Sequence, residues 1–377
     1  MENNNDNKVL NVPHLRFPEF SGEWKKCKLG DLCNVLMCKR ILVSQTNTED
    51  GVPFYKIGTI GSTPDAYISK ELFDDYKVKY NYPRKGEVMI TCAGTVGKCV
   101  VYDGEDAYFQ DSNIVWIDNP TQYISNGFLF HLLSKVDWRK LNSTTIIRIY
   151  NDDLRNLKMS YPRKEEQQKI SHLLSLLDER IATQNKIIDK LQSLIKGINC
   201  KIFALIQGNE YRLGDIATIT NGNSNVQDAS VEYRVGLYPF FDRSEDVKYL
   251  PTFLFDKESI IYPGEGTEFM PRYYNGKFAL HQRCYAICDF NEAVNPQFLY
   301  FFLKTQNSYF IRNAVGSTVP SLRLDTFQKL KVVIPSKETQ YSVYSFLSTL
   351  EQKLDVENSI MKMLLCQKRY LLRQMFI

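Results

Sequence analysis

Residues 162–205 read PRKEEQQKISHLLSLLDERIATQNKIIDKLQSLIKGINCKIFAL, and this stretch decides how the chain is organised. Its apolar residues recur in steps that alternate between four and three positions. That spacing has a period of 3.5 residues, which is typical of the narrow buried seam of a coiled coil. A continuous helix of this length would reach roughly 60 Å. The predicted seam comprises Ile170, Leu174, Leu177, Ile181, Ile188, Leu191 and Ile195.

A second copy of the pattern occupies residues 335–377. Pro335 and Gln340 take the places of Pro162 and Gln167, and acidic residues occupy the first turn in both copies, as helix N-termini prefer. Agreement of the start and of the apolar spacing indicates an internal repeat. The second seam is predicted to comprise Val343, Leu347, Leu350, Leu354, Met361 and Leu364.

The repeat extends beyond the two long helices. The sequence KLGDL at residues 28–32 recurs as RLGDI at residues 212–216, and Gln184, the polar residue of the first seam, falls on Glu357 of the second. The chain therefore alternates domain, long helix, domain, long helix. We predict that the two helices pack antiparallel within the chain, because this buries both seams. Pairing of each helix with another subunit is the alternative.

The globular segments are rich in Val, Ile, Tyr and Phe between Gly and Pro, which indicates short strands with intervening helices. The predicted fold class is α+β, with two globular domains separated by two long antiparallel helices that form an intramolecular coiled coil. The two domains share little sequence between their anchors. The predicted segments are a disordered N-terminus at 1–12, a first domain at 13–161, a central helix at 162–208, a second domain at 209–334 and a distal helix at 335–377.

Several local elements are also predicted. Strands are expected at Lys28–Leu36, Pro53–Ile57, Glu87–Cys92, Lys98–Tyr102, Asn113–Ile117, Thr144–Ile149, Arg212–Thr220, Leu237–Phe241, Ser259–Tyr262 and Phe278–Cys288. Helices are expected at Ile124–Leu141 and Pro296–Lys304.

Composition narrows the class of protein. The 377 residues are 44% hydrophobic with a formal net charge of +4, which describes a globular, mildly basic protein that can bind nucleic acid without being required to do so. The nine cysteines form no CxxC pair, so we expect reduced thiols and a cytoplasmic location. The N-terminus lacks the apolar core of a signal peptide, and the chain lacks an apolar run long enough to span a membrane.

The sequence offers no convincing catalytic or metal site. Gly94-Thr95-Val96-Gly97-Lys98 resembles part of a phosphate-binding loop, but Cys92 and Cys99 stand where a glycine and a hydroxyl residue are needed, so a turn between strands is expected. His281, Cys284 and Cys288 lie in a stretch that reads as strand and lacks a fourth ligand. Buried thiols are the favoured interpretation, and no metal is expected.

Polar loops rich in Arg, Lys, Asn and Gln are the more informative feature. These side chains read base edges, whereas Ser, Thr and Lys contact phosphates. The candidate DNA-binding residues are Lys39, Arg40, Ser44, Gln45, Gly94, Thr95, Lys98, Asn221, Arg243, Arg272, Tyr273, Tyr274, Lys277, Gln282, Arg283, Ser317, Thr318 and Arg323.

Three stretches resemble the specificity (S) subunit of type I restriction–modification systems. They are LRFPEFSGEWKKCKLGDL at 15–32, SYPRKEEQQKISHLLSLLDERI at 160–181 and VIPSKETQYSVYSFLSTLEQKL at 333–354. The second copy departs from the first, since Thr339 and Tyr341 stand opposite Glu166 and Gln168.

The resemblance implies a non-catalytic subunit that serves DNA methylation and defence against foreign DNA. Each globular segment would be a target recognition domain that reads half of a bipartite site in double-stranded DNA, and the helix pair would set the spacing. Two modification (methyltransferase) subunits, which bind S-adenosylmethionine and methylate adenine, would dock on it. Two restriction subunits, which use ATP and Mg²⁺, join in some complexes. No cofactor is expected on this chain. The alternative is a coiled-coil scaffold that binds only protein partners.

Overall fold

A computed structural model describes residues 10–140 and 148–377. The chain divides into two units, Met1–Thr183 with Met361–Ile377, and Gln184–Ile360. The helices are α1 (Lys70–Lys79), α2 (Asn126–Lys135), α3 (Asn151–Arg155), α4 (Lys164–Leu205), α5 (Leu213–Ile216), α6 (Pro296–Lys304), α7 (Asn307–Asn313), α8 (Leu324–Gln328) and α9 (Lys337–Gln374). The long helices α4 and α9 each contribute one segment to each unit, α4 dividing after Thr183 and α9 after Ile360.

The described residues of the first unit form three sheets. Its strands are β1 (Lys25–Lys28), β2 (Asn34–Leu36), β3 (Val52–Tyr55), β4 (Tyr67–Ile68), β5 (Val88–Thr91), β6 (Cys99–Val101), β7 (Tyr108–Phe109), β8 (Ile114–Asp118) and β9 (Lys158–Tyr161). The sheet orders are β1-β9, β2-β8-β5-β6 and β4-β3-β7. Strand β3 runs parallel to β7, and the other paired strands of this unit are antiparallel.

The second unit has the same plan with its sheets fused. Its strands are β10 (Asn209–Arg212), β11 (Thr218–Asn221), β12 (Tyr238–Phe241), β13 (Lys248–Leu250), β14 (Phe255–Pro263), β15 (Arg272–Leu280), β16 (Cys284–Cys288) and β17 (Lys331–Ile334). A two-stranded sheet joins β10 and β17, and a six-stranded sheet has the order β11-β16-β14-β15-β12-β13. The order β11-β16-β14-β15 repeats the order β2-β8-β5-β6, and β12 runs parallel to β15 as β3 does to β7. The two domains therefore share one topology despite their different sequences.

Each residue named for the predicted seams of the long helices is buried or half-buried. In the first unit, Ile170 and Leu174 near the start of α4 share a core with Met375 and Phe376 at the end of the chain. In the second unit, Phe203 near the end of α4 packs into the core that also contacts Val343 and Tyr344 near the start of α9. Within each unit the two helices are thus antiparallel, while a coiled coil along their whole length remains a prediction.

Gln184 and Glu357, the polar seam residues, are partners. The Gln184 amide Nε2 donates to the Glu357 carboxylate Oε2 at 2.7 Å and to the Glu357 main-chain oxygen at 3.0 Å. The repeat therefore places complementary polar groups opposite each other, which satisfies two groups that the apolar seam would otherwise leave unpaired.

A buried glutamine attaches the base of each long helix to its domain. In the first unit, the Gln167 Oε1 accepts from the main-chain N–H of Ser125 at 2.7 Å. Its Nε2 donates to the main-chain oxygens of Tyr123 at 2.9 Å and Pro162 at 3.0 Å. Because Ser125 also caps α2, one side chain joins the start of α4 to the start of α2.

The same attachment recurs in the second unit. The Gln340 Oε1 accepts from the Asn295 N–H at 2.7 Å, and its Nε2 donates to the oxygens of Ala293 and Pro335, both at 2.9 Å. Asn295 is the N-cap of α6. The proline and glutamine that revealed the repeat in the sequence therefore form one structural device, used twice.

Several predicted elements are corrected by the structure. The single strands expected at Lys28–Leu36 and Arg212–Thr220 are each interrupted by a helical turn at the Leu-Gly-Asp sequence, a short 3-10 helix at Leu29–Asp31 and helix α5. Each turn buries its leucine completely, and burial of that side chain outweighs the strand propensity of its neighbours. The strand expected at Phe278–Cys288 is two strands, β15 and β16, because a turn at 281–283 interrupts it, closed by the Cys284 N–H that donates to the His281 oxygen at 2.9 Å.

Helix predictions fared differently in the two units. The helix at Pro296–Lys304 is confirmed, whereas that at Ile124–Leu141 is shorter, since α2 ends at Lys135 and a 3-10 turn at Trp138–Lys140 follows. The strand expected at Thr144–Ile149 lies mostly outside the described residues, as do residues 1–9 of the predicted disordered N-terminus. That prediction is wrong for Asn11, which is buried and donates to the Trp24 oxygen at 2.7 Å.

Candidate nucleic-acid interface

In the second unit, several polar loops converge at one end of the six-stranded sheet. The Ser224 N–H donates to Leu280 O at 3.1 Å and the Gln282 N–H to Ser224 O at 3.2 Å. The His281 N–H donates to Phe241 O at 2.9 Å. Together these loops enclose a cleft of about 510 Å³. It is lined by Val226, Asp242, Arg243, Ser244, Lys248, Gly264, Glu265, His281, Gln282, Arg283 and Cys284.

Two glycines allow the turn at 281–283 to be held from both sides. A Cβ atom at Gly222 would lie 2.0 Å from the Leu280 oxygen, and one at Gly264 would lie 1.8 Å from the Arg283 oxygen. Both positions therefore require glycine, since any side chain would collide with main-chain atoms. The result is a turn whose backbone is fixed between two loops.

The turn after β12 is fixed by a buried carboxylate. Asp242 accepts from Lys248 Nζ at 2.6 Å and from the Ser244 N–H at 2.8 Å. Burial alone would raise the pKa of Asp242, but the hydrogen bonds from Lys248 and Ser244 outweigh it and hold the pKa below its usual value. The carboxylate therefore stays ionised, and it orients the turn that carries Arg243.

Three of the predicted DNA-binding residues, Arg243, Gln282 and Arg283, meet in this cleft. Arg283 is engaged by Glu265, with Nη1 2.6 Å from Oε1. The exposed side chains of Arg243 and Gln282 form no hydrogen bond or ion pair with any residue that the structure describes.

Other predicted residues of this domain support or adjoin the cleft. Asn221 Nδ2 donates to the Gln282 oxygen at 3.5 Å. Arg272 is half-buried and donates to the Ser244 oxygen, so it supports the turn rather than projecting from it. Ser317 and Thr318 are exposed in the loop whose backbone pairs with Glu265 through Ser321. Arg323 is exposed immediately before α8.

Three predicted residues lie elsewhere. The Tyr273 hydroxyl contacts Glu258 and accepts from Gln297 Nε2 at 2.8 Å, which places it against α6. Tyr274 packs on Phe241 and Phe278 in a hydrophobic cluster. Lys277 lies 3.9 Å from Asp256. Sequence proximity to Arg272 grouped these residues, but alternation along β15 puts Tyr273 and Lys277 on the opposite face of the strand. Tyr274 shares the face of Arg272 and packs into the hydrophobic cluster there.

Sequence reasoning missed Asp242, Lys248 and Glu265 as members of the cleft. Each is a charged residue that the sequence places far from Gln282, two in loops and Lys248 at the start of β13, and only the sheet order brings them together. His281 was considered only as a metal ligand. Burial lowers the pKa of His281 below its usual value, so at neutral pH the ring offers the cleft an uncharged imidazole.

The first unit gathers its candidates at the corresponding end of its sheet. Arg40 Nε lies 3.2 Å from the Asp111 carboxylate, in the turn before β8. Thr95 Oγ1 donates to the Ile57 oxygen at 3.2 Å, and Lys98 Nζ donates to the Ile60 oxygen at 2.5 Å. The turn before β8 and the turn before β16 occupy equivalent places in the two sheets.

The remaining candidates of the first unit lie in the loop at 39–45 and in the turn between β5 and β6. Lys39 and Ser44 are exposed, and Gln45 Oε1 accepts from the Leu42 N–H at 2.9 Å to cap a short 3-10 helix. Gly94 begins the turn between the antiparallel strands β5 and β6, as predicted. Because Lys98 is bound to a main-chain oxygen, this sequence is a β-turn rather than a phosphate cradle.

The described residues include no cluster of three or more His, Cys, Asp or Glu arranged to hold a metal ion. Cys284 and Cys288 are buried on β16, and burial raises the pKa of both thiols to about 11. His281 lies in the turn before them. In the parts of the chain that are described, no helix combines the length and apolar character needed to cross a membrane.

Two α+β domains of one topology, each attached by the same glutamine to a shared pair of long helices, define a duplicated frame with different loops. A family model described as "Type I restriction modification DNA specificity domain" matches residues 21–193 and 208–364. The match covers both repeats and most of the chain, so the chain belongs to this family and is a type I restriction–modification specificity subunit.

Curated relatives are similar to parts or all of the chain. A putative type I restriction enzyme specificity subunit of Haemophilus influenzae is 45% identical over 189 residues, 50% of this chain and 46% of that protein. The EcoDI specificity subunit of Escherichia coli is 30% identical over 138 residues, 37% of this chain and 30% of that protein. The matches thus span less than half the length of these two relatives. The MjaVIII specificity subunit of Methanocaldococcus jannaschii is 21% identical over 91% of this chain and 89% of that protein.

Solved structures show the same fold. The S subunit of a type I restriction–modification system from M. genitalium has a TM-score of 0.64 at 19% identity, covering 97% of this chain and 99% of that chain. A chain from a structure describing complex assembly and conformational transition of the type I R-M system has a TM-score of 0.55 at 15% identity, with 93% and 96% coverage. At these identities the likeness concerns the fold.

Proposed function

We propose that this chain is the non-catalytic subunit that gives a type I restriction–modification complex its DNA sequence specificity. Each domain reads one half of a bipartite site in double-stranded DNA. The observation that carries the proposal is the duplication itself. One topology and one glutamine attachment occur twice, while the loops at the equivalent end of each sheet carry different polar residues. A constant frame with two divergent loop sets is the arrangement expected of two readers with different targets.

The long helices have two further roles in this proposal. Their length fixes the separation of the half-sites, and their outward faces dock two modification subunits. Exposed apolar side chains on α9 support the docking role, because Tyr341, Phe346 and Val356 are 64%, 49% and 57% exposed. The cofactors belong to the partners: S-adenosylmethionine to the adenine-methylating subunits, and ATP with Mg²⁺ to two restriction subunits where these are present.

A domain exchange tests the assignment of one reader to each domain. Residues 13–150 are replaced by the matching segment of another specificity subunit, and methylated adenines are mapped in cells that also produce the modification subunit. We expect one half-site to change while the other half and the spacing persist. A change in both halves, or in neither, would contradict the assignment.

Lengthening the helix pair tests the spacing role. One heptad is inserted in α4 after Lys186 and one in α9 after Asp355, so that both seams keep their 3.5-residue phase. The added length of ~10 Å corresponds to roughly three base pairs. We expect the same two half-sites with a spacer longer by that amount, and an unchanged spacer would refute the proposal. A heptad in α4 alone is the control that should disrupt the seam.

A scaffold that binds only proteins is the competing function. It predicts that the complex of this chain with its modification subunit has no more sequence preference on duplex DNA than the modification subunit alone. The methylation map decides between the two, since a bipartite motif that depends on this chain is incompatible with a scaffold.

A further inference from the structure

In the cleft of the second unit, some polar and charged side chains are paired with each other and others are free to bind a ligand. Its cations Lys248 and Arg283 are each paired with a carboxylate, at 2.6 Å from Asp242 and from Glu265. Arg243 is the cation left without an ion pair among the lining residues described. Beside it stand the neutral Gln282 amide and the His281 ring.

The free groups of the cleft are better suited to bind the edge of a DNA base than a phosphate. A phosphate carries a full negative charge and gains most where several free cations converge. The cleft instead presents one free guanidinium and one free amide, which are the groups that form paired hydrogen bonds with guanine O6 and N7 and with adenine N6 and N7.

The backbones that carry the two free side chains are fixed. The Asp242 carboxylate orients the turn of Arg243, and the glycine contacts of Gly222 and Gly264 hold the turn of Gln282. Fixed backbones reduce the entropy lost when a long side chain forms two hydrogen bonds at once. A sequence-independent phosphate contact has no need of such anchoring.

We infer that Arg243 and Gln282 are specificity-determining residues, which read a guanine and an adenine in the half-site of the second domain. The inference rests on the proposed function, because it assigns the bases that this reader distinguishes. Arg272 and Asp242 act as positioning residues, since each forms a hydrogen bond with Ser244 in the turn that carries Arg243.

The test measures base preference one position at a time. The site methylated with the wild-type chain is mapped first. Each base pair of both half-sites is then varied in duplexes, and affinity is measured for the complex of the full chain with its modification subunit. For Arg243→Ala we expect discrimination to fall roughly 5- to 150-fold at one guanine position of the second half-site only. For Gln282→Leu we expect the same loss at one adenine position.

Gln282→Glu provides a second, gain-of-function readout. A carboxylate accepts from the cytosine N4 amino group, so the preferred base at the adenine position should shift toward cytosine. Lys257→Ala is the matched control for loss of a positive charge. Lys257 lies on the same sheet and pairs with Asp289 at 2.8 Å, beyond the far end of β16, so this variant should keep the wild-type preferences.

The outcomes separate the two proposals. If the wild-type chain directs methylation to no bipartite site, the proposed function fails and the inference fails with it. If the wild-type site is bipartite but the variants retain every preference, the inference alone is overturned. Uniform weakening on all sequences would also overturn it, because that result identifies phosphate contacts. Thermal unfolding and co-purification with the modification subunit confirm that each variant is folded.

Discussion

The two repeats of this chain are alike where their long helices begin and different where their sheets end. Gln167 and Gln340 form the same three hydrogen bonds and are both fully buried. The equivalent turns before β8 and β16 carry Gln-Asp-Ser-Asn at 110–113 and His-Gln-Arg at 281–283. The difference teaches that packing constrains the attachment of domain to helix, whereas the exposed loops at the sheet ends are under no such constraint.

The bases of the long helices also differ in one respect. In the first unit, residues 10–24 lie across the end of α9, with the Leu15 N–H donating to Gln374 O at 2.8 Å. This segment delivers Arg16, whose guanidinium donates to the buried Glu166 carboxylate twice at 2.7 Å. Thr339 occupies the position of Glu166 in the second unit and is exposed.

The largest expected effect concerns the phenylalanines that close each unit. Phe376 is buried 4.8 Å from the Phe128 ring, and Phe203 stands in the equivalent place 5.3 Å from Phe298. Phe376→Ala should lower the free energy of unfolding of the first unit by about 4 kcal/mol, because it leaves a cavity in the core. Phe203→Ala should cost less, since Phe203 is only half-buried.

Fluorescence can follow the first unit by itself in that experiment. Trp24, Trp116 and Trp138 are the three tryptophans of the chain, and all lie in the first unit. Denaturant titration monitored by tryptophan emission therefore reports Phe376→Ala, and hydrogen exchange of α6 reports Phe203→Ala. Equal losses of stability in the two units would show that Phe376 and Phe203 contribute equally, which would contradict the expectation from their different burial.

A smaller loss is expected from the ion pair that only the first unit has. Glu166→Ala removes the acceptor of the Trp24 indole N–H, which donates to Glu166 at 3.3 Å, and leaves Arg16 with the main-chain oxygens of Ser21 and Gly22 in place of its carboxylate. We expect a loss of about 3 kcal/mol in tryptophan-monitored unfolding, since removing one member of a buried pair strands the other. Thr339→Ala is the control, with an expected change within about 0.5 kcal/mol. A Glu166→Ala effect as small as that of the control would mean that the ion pair adds no measurable stability to the other contacts of the N-terminal segment.

The glutamine attachments should respond equally, which tests the similarity rather than the difference. Gln167→Ala and Gln340→Ala each leave one main-chain N–H and two carbonyls without their partner, at a cost of about 2 kcal/mol per unit. Hydrogen exchange at the first turns of α2 and α6 measures both in parallel. A clearly larger effect in one unit would indicate that its glutamine contributes more to stability than the other.

The smallest expected difference in stability between the two units at moderately acidic pH comes from a buried histidine that only the first unit has at this position. His131 is fully buried beside Ser175, Asp178 and Lys368, and burial lowers its pKa to about 4. The equivalent residue in α6 is Phe301. In the unfolded chain His131 takes up a proton near pH 6.5, whereas in the folded chain it stays neutral down to about pH 4. The free energy of unfolding is therefore unaffected by His131 above pH 6.5 and falls progressively as the pH is lowered toward 4.

At pH 5 that loss amounts to about 2 kcal/mol in the first unit. His131→Phe, which copies the second unit, should remove it. Tryptophan-monitored unfolding of wild type and variant between pH 7 and 5 measures the difference. Parallel pH profiles for the two proteins would show that His131 does not titrate in this interval.

The sequence by itself determined the repeat, the two long helices and their seams. A period of 3.5 residues and a shared proline and glutamine are local patterns, and helix formation obeys local rules. It also predicted a turn at Gly94–Lys98 and buried thiols at Cys284 and Cys288, because neither stretch has the full residue set of a phosphate or metal site. The partner class was predicted from the resemblance to type I specificity subunits. The sequence repeat also aligned Gln184 with Glu357, the two polar residues that interrupt the apolar seams.

Only the tertiary structure decided which polar residues act together. Arg243, Glu265 and Gln282 are separated in the chain, and the order of strands β11 to β16 brings their loops to one end of the sheet. Alternation along β15 places Tyr273 and Lys277 on the face opposite to Arg272, although they are its neighbours in sequence. Strand pairing is non-local, so it depends on the core that the whole domain buries rather than on the residues of any one loop.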